Sequence, residues 1–124
     1  MLELALYSAI APLVLSVLSS VWMYPAVLEE VVKYLLLRYT RAEGMMSRRG
    51  LLVGLVFGVS ETILYSISAW SSGDSTMMLY RIILTVPMHT LTGSLVGEGM
   101  GRGMGMVGLG CAMVVHGVFN FLMK

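Results

Sequence analysis

The 124-residue chain has a single cysteine, Cys111. An internal disulfide is therefore excluded, and so is a metal centre built from several thiolates. Charge is scarce: Asp, Glu, Lys and Arg make up 12% of the residues, about half the share found in soluble domains. The net charge of +1 supplies no basic surface, so no nucleic-acid partner is expected. The His-Glu-x-x-His helix of zinc proteases is absent, as is a Gly-x-Ser-x-Gly nucleophile turn. Met1-Leu2-Glu3 lacks the basic n-region of a secretory signal, so the apolar run that follows reads as a membrane helix of the mature protein. No internal repeat, low-complexity tail or soluble domain is evident.

What remains is apolar. The hydrophobic fraction is 57% and the mean hydropathy is +0.85. A soluble domain of this size leaves too much of its surface exposed to hide that much apolar area. The expected fold is all-α: residues 1–124 as one polytopic transmembrane helical bundle of about five spans, with the lipid bilayer as its solvent. The fourteen glycines and twelve methionines suit close helix packing in lipid.

The expected spans are Leu4 to Tyr24, Pro25 to Tyr39, Gly50 to Trp70, Met77 to Gly97 and Met106 to Met123. Pro25 suits the first turn of a helix, where its missing N–H costs nothing. The second span is short for a full crossing. The segment from Arg38 to Arg49 is the one strongly basic connection, which the positive-inside rule places in the cytoplasm. Ser71 to Ser75 then reads as an outer turn, and Glu98 to Gly105 as a glycine-rich inner turn. Trp22 and Trp70 read as interface anchors.

The informative residues are the polar ones inside the spans: Glu29, Glu30 and Lys33; Glu61 and Tyr65; Arg81 and His89; His116 and Asn120. At a rise of about 1.5 Å per residue, Glu30, Glu61, His89 and His116 lie roughly 12 to 20 Å from the cytoplasmic ends of their helices. In a hydrocarbon core of ~30 Å, that sets an acid or a histidine near the midplane in four separate spans. Glu29 and Glu30 both reach the face of Lys33, at spacings of four and three residues. Arg81, Thr85, His89, Gly93 and Gly97 form one stripe. Each feature alone has a packing explanation: an ion pair as helix glue, a hydrogen-bonded histidine, a snorkelling arginine. Together they exceed what packing needs, since ionisable groups in a membrane span are costly and mark function.

Carboxylates and histidines around a small polar cavity suit water activation. A buried glutamate can act as general base on water, and a histidine or asparagine can stabilise the resulting oxyanion. His89, His116 and a glutamate also make a conceivable zinc site with one open position. The residues alone leave these two readings open. They also leave open a proton or ion pathway, and a membrane scaffold or immunity partner with no catalysis.

The blocks Glu29-Glu30-x-x-Lys33, Phe57-Gly58-x-x-Glu61-x-x-x-Tyr65, Arg81-x5-Pro87-x-His89-x3-Gly93 and His116-Gly117-x-x-Asn120-Phe121 resemble, in order and spacing, the PrsW family of intramembrane proteases. More distantly they resemble the CPBP superfamily of the type II CAAX endopeptidases. The last block departs from the PrsW pattern, which often has aspartate at the position of Asn120, but keeps the wider superfamily's His-x-x-x-Asn. The resemblance implies a glutamate-dependent intramembrane endopeptidase of a prokaryotic cell membrane, acting without a cofactor, although its residues overlap with those of a zinc mechanism. It implies that Glu29 or Glu30 activates water beside Glu61. His89, His116 and Asn120 would orient the water and stabilise the tetrahedral intermediate, while Lys33 and Arg81 hold the acids and Tyr65 supports Glu61. The implied substrate is a single-pass membrane protein, such as an anti-sigma-factor-like regulator.

Overall fold

The computed structural model describes residues 1–19, 24–40, 45–72 and 75–123. These form five helices: α1 (Leu2–Ser19), α2 (Pro25–Tyr39), α3 (Met46–Ser72), α4 (Ser75–Gly101) and α5 (Gly105–Leu122). Pro25 stands at the start of α2, as its missing N–H allows. Pro12 and Pro87 lie inside continuous helices. Trp22, Asp74 and residues 41–44 of the first polar connection fall outside the described residues. What is described of that connection is shorter than the sequence suggests. Arg38 closes α2, while Arg48 and Arg49 already belong to the first turn of α3. The glycine-rich turn is shorter too, because α4 runs on to Gly101 and α5 starts at Gly105. Gly103 makes that reversal with φ of 74°, a conformation glycine adopts without steric cost.

Two helices, by their segments Met46–Ile67 and Gly105–Leu122, are long and apolar enough to cross a membrane. The burial pattern is the reverse of a soluble domain. Leu13, Val17, Ile63, Ile67, Val107, Val114 and Phe121 face outward, while Glu30, Lys33, His89, Thr92 and His116 are buried. Apolar outside and ionisable inside is the arrangement a lipid environment selects.

The apolar core takes one residue from every helix: Leu4, Leu37, Val53, Val96 and Ala112. The pairing of α3 with α4 is the most extensive, and α2 touches all four of the other helices. Glycine sets the α3–α4 separation. A Cβ on Gly54 would overlap the carbonyl oxygen of His89, and one on Gly93 would overlap that of Gly50. Backbones can approach this closely only without side chains between them. The α4–α5 contact is built likewise, with the Cβ position of Gly99 only 2.8 Å from the Cα of Gly108. The C-terminus of α2 is fixed from α3. Arg49 Nη2 donates to the carbonyls of Leu37, at 2.9 Å, and Thr40, at 2.7 Å, groups a helix end leaves unpaired. These contacts set the register in which side chains of α2, α3, α4 and α5 meet.

Candidate active site

The helix that touches all the others carries the acids. Glu29, Glu30 and Lys33 are buried on the inner face of α2. Lys33 Nζ donates to Glu30 Oε1 at 2.6 Å and to Thr92 Oγ1 at 2.8 Å, and lies 2.8 Å from His89 Nδ1. The nitrogen also sits 5.0 Å from the centre of the Phe57 ring, within cation–π range. A buried ammonium is tolerable only with such a complement of partners.

Glu30 Oε1 has a second partner, His116 Nδ1, at 2.8 Å. An ionised carboxylate only accepts, so the imidazole donates from Nδ1 and its Nε2 carries the lone pair. His116 reaches this place because Gly108, Ala112 and His116 line the buried face of α5. From α3, Glu61 reaches His89 Nε2 with Oε2, a close hydrogen-bonded contact. Gly54 and Gly58 precede Glu61 on α3 and permit that reach, since Gly58 too packs directly on α4. The two imidazoles meet edge to face, 4.9 Å between centroids and 84° between planes, and Phe57 packs on His89 at 5.2 Å.

Glu29 differs from its neighbour. Its Oε2 lies 3.6 Å from His116 Nε2 and 4.0 Å from His89 Nε2. That oxygen is buried and, like Glu30 Oε2, has no hydrogen-bond partner among the described residues. Glu29 also lines a cavity of about 380 Å³ between α1, α2 and α3. Glu61 and Phe57 share that lining, with Tyr65, Leu64, Ser16, Pro12 and Pro25 around them. The polar layer expected from depth thus closes into one cluster of Glu29, Glu30, Lys33, Glu61, His89 and His116. Tyr65 stands at the cavity wall beside Glu61. Asn120 is half-buried one turn beyond His116 and has no hydrogen bond among the described residues. The side chain of Arg81 lies outside the described residues. Thr92 was missed by the sequence reading. Its signal was only its spacing from His89, a hydroxyl three residues on, whose proton goes back to the His89 carbonyl at 3.2 Å.

A family model described as PrsW family intramembrane metalloprotease matches residues 2–124. No curated protein and no solved structure matches the chain.

That description implies a metal. Among the described residues one group offers three suitable donors: Glu29, His89 and His116, whose ligand atoms lie within 4.8 Å of one another. By type and number this is a His₂Glu set with room for an open position. A ligating histidine gives its other ring N–H to a carboxylate or carbonyl. His116 satisfies that rule through Glu30. His89 does not: its other nitrogen meets the Lys33 amine, itself paired with a carboxylate. The donor set therefore meets that rule at His116 and not at His89, whose Nδ1 faces an amine in place of a carboxylate or carbonyl.

Proposed function

The chain belongs to the PrsW family of intramembrane proteases, and from that membership we propose that it is a glutamate-dependent endopeptidase. It cuts a peptide bond of a membrane-anchored protein in the cavity lined by Glu29 and Glu61. The observation that carries this reading is Glu29 Oε2: buried, without a hydrogen-bond partner among the described residues, beside both imidazoles and, unlike Glu30, at the wall of the cavity. A buried carboxylate oxygen without a partner is costly, and a substrate water supplies the missing hydrogen bond.

In this mechanism the water lies against two acceptors, Glu29 Oε2 and the lone pair of His116 Nε2, 3.6 Å apart. Both its hydrogens are then held, and an oxygen lone pair is left toward the scissile carbonyl. Glu29 takes one proton as the water oxygen bonds to the carbonyl carbon. The negative charge on the former carbonyl oxygen needs N–H donors, a role assigned in this mechanism to Asn120 and to His89 once its Nε2 leaves Glu61. The tetrahedral intermediate collapses, the C–N bond breaks, and the proton held by Glu29 passes to the leaving amine. Glu30 and Lys33 take no part in proton transfer; they hold His116 and His89.

The bundle's basic end, with Arg38, Arg48, Arg49 and Arg102, faces the cytoplasm in this reading, and all five helices lie in a prokaryotic cell membrane. The substrate is a single-pass protein of the anti-sigma-factor type, admitted from the bilayer. The His116-x-x-x-Asn120 pattern supports a place in the wider CPBP superfamily. Proteolysis by purified protein in liposomes tests the reading. Single-pass substrates are offered to wild type, Glu29→Gln and His89→Ala, each with and without chelator. Cleavage that survives chelator and is lost in both variants supports it. Cleavage abolished by chelator and restored by zinc, or retained in Glu29→Gln, overturns it.

A further inference from the structure

Lys33 sets the proton position on His89. Thr92 uses its one hydroxyl proton on the His89 carbonyl, at 3.2 Å, so toward Lys33 it can only accept. Glu30, already accepting from His116, also accepts from Lys33 at 2.6 Å. The amine has three partners, Glu30 Oε1, Thr92 Oγ1 and His89 Nδ1, as many as the N–H donors of an ammonium, which has no lone pair. On the other side of the ring, Glu61 Oε2 meets His89 Nε2, and a carboxylate oxygen there accepts a proton carried at Nε2.

We infer that Lys33 is a positioning residue: its third N–H fixes His89 as the tautomer protonated at Nε2, making that nitrogen a hydrogen-bond donor to Glu61 and closing it to metal. The pair of imidazoles is then complementary. His116, held through Nδ1–H by Glu30, offers a lone pair at Nε2; His89, held through Nδ1 by Lys33, offers a proton at Nε2. The two nitrogens that face Glu29 are one acceptor, open to a water's hydrogen, and one donor, held by Glu61 until a substrate carbonyl oxygen takes that contact. This deepens the proposed mechanism and rests on it for the use of the donor. The tautomer itself is decided without substrate.

His89 and His116 are the only histidines, so the test is direct. Protein labelled with ¹⁵N-histidine is studied by NMR in detergent micelles, with His116→Gln to assign the signals. The expected spectrum has His89 protonated at Nε2 and bare at Nδ1, with His116 the reverse. A His89 proton on Nδ1, or on both nitrogens, overturns the inference. A second measurement adds cobalt(II) to wild type and follows its visible absorption. No tetrahedral cobalt band that depends on both histidines is expected; such a band, lost in both His89→Ala and His116→Ala, also overturns it. Lys33→Met should release the His89 preference. If that variant does not fold, the wild-type spectrum decides alone. If proteolysis fails while the two tautomers are as stated, the proposed activity is wrong and the role of Lys33 stands.

Discussion

Glu30 and His116 are 86 residues apart in sequence and 2.8 Å apart in the fold. The same carboxylate oxygen binds Lys33, whose nitrogen reaches Thr92 and His89 on α4. One atom of α2 therefore ties α5 to α4 at the centre of the bundle. Both glutamates keep a buried Oε2 without a hydrogen-bond partner among the described residues, but of the two only Glu29 lines the cavity. In the proposed mechanism neighbouring glutamates thus divide the work between architecture and chemistry.

Substitution at the two glutamates should separate those roles. Glu29→Gln is expected to lower cleavage by on the order of 10² or more, the usual share of a general base. Its thermal midpoint should be unchanged or slightly higher, because no hydrogen bond to Oε2 is lost. Glu30→Ala leaves Lys33 buried without its carboxylate and should cost roughly 3–5 kcal/mol. Denaturation in detergent, run beside the cleavage assay, reads both. A Glu29 variant as unstable as the Glu30 variant would contradict the division.

Thr92→Val keeps the volume of the side chain and removes one acceptor from the ammonium. A hydrogen bond to a charged group contributes about 1.5–3 kcal/mol, so a loss in that range is expected from chemical denaturation. Cleavage by the folded fraction should fall less than in Glu29→Gln, since Thr92 bonds Lys33 and the His89 backbone carbonyl and neither imidazole nitrogen.

Gly54→Val places a side chain where the His89 carbonyl already sits. Overpacking costs about 1–3 kcal/mol, and more here because the obstacle is backbone. The helices must part, drawing Glu61 away from His89. Stability and cleavage should fall together, whereas Gly110→Ala, which meets nothing within 4 Å, should leave both within experimental error. Equal behaviour of the two variants would remove the glycine contact as the reason for the α3–α4 separation.

Metal removal should leave cleavage unchanged. The expected result is the same rate after dialysis against chelator and after addition of zinc. A rate that tracks metal content would restore His89 to the role of ligand and would set aside the pairing with Lys33 described above.

Much of this was legible from residue spacing. The range of α2 matches the expected one residue for residue, because Pro25 marks its start and the apolar run ends at Tyr39. The clustering of acids and histidines also followed from depth alone. What spacing could not supply was partnership. Glu29 and Glu30 are both within helical reach of Lys33, and only the rotation of α2 against α4 and α5 selects Glu30. Which histidine faces which acid depends on the glycine contacts, whose depth no one-dimensional pattern records. The basic segment was read as loop because arginines favour water, yet Arg49 is buried as a cap on α2. Of the five expected spans, two are by themselves long and apolar enough to cross a membrane, and each carries a single residue of the cluster, Glu61 on α3 and His116 on α5.

The contribution of all five helices to one core also has a temporal side. The cluster draws on α2, α3, α4 and α5, and His116 is on the last of them to leave the ribosome. Until then Glu30 has only Lys33, and no imidazole lone pair stands beside Glu29. In the proposed mechanism a chain ending before α5 holds the acids without the water-binding pair, so the site is complete only once α5 has joined the bundle.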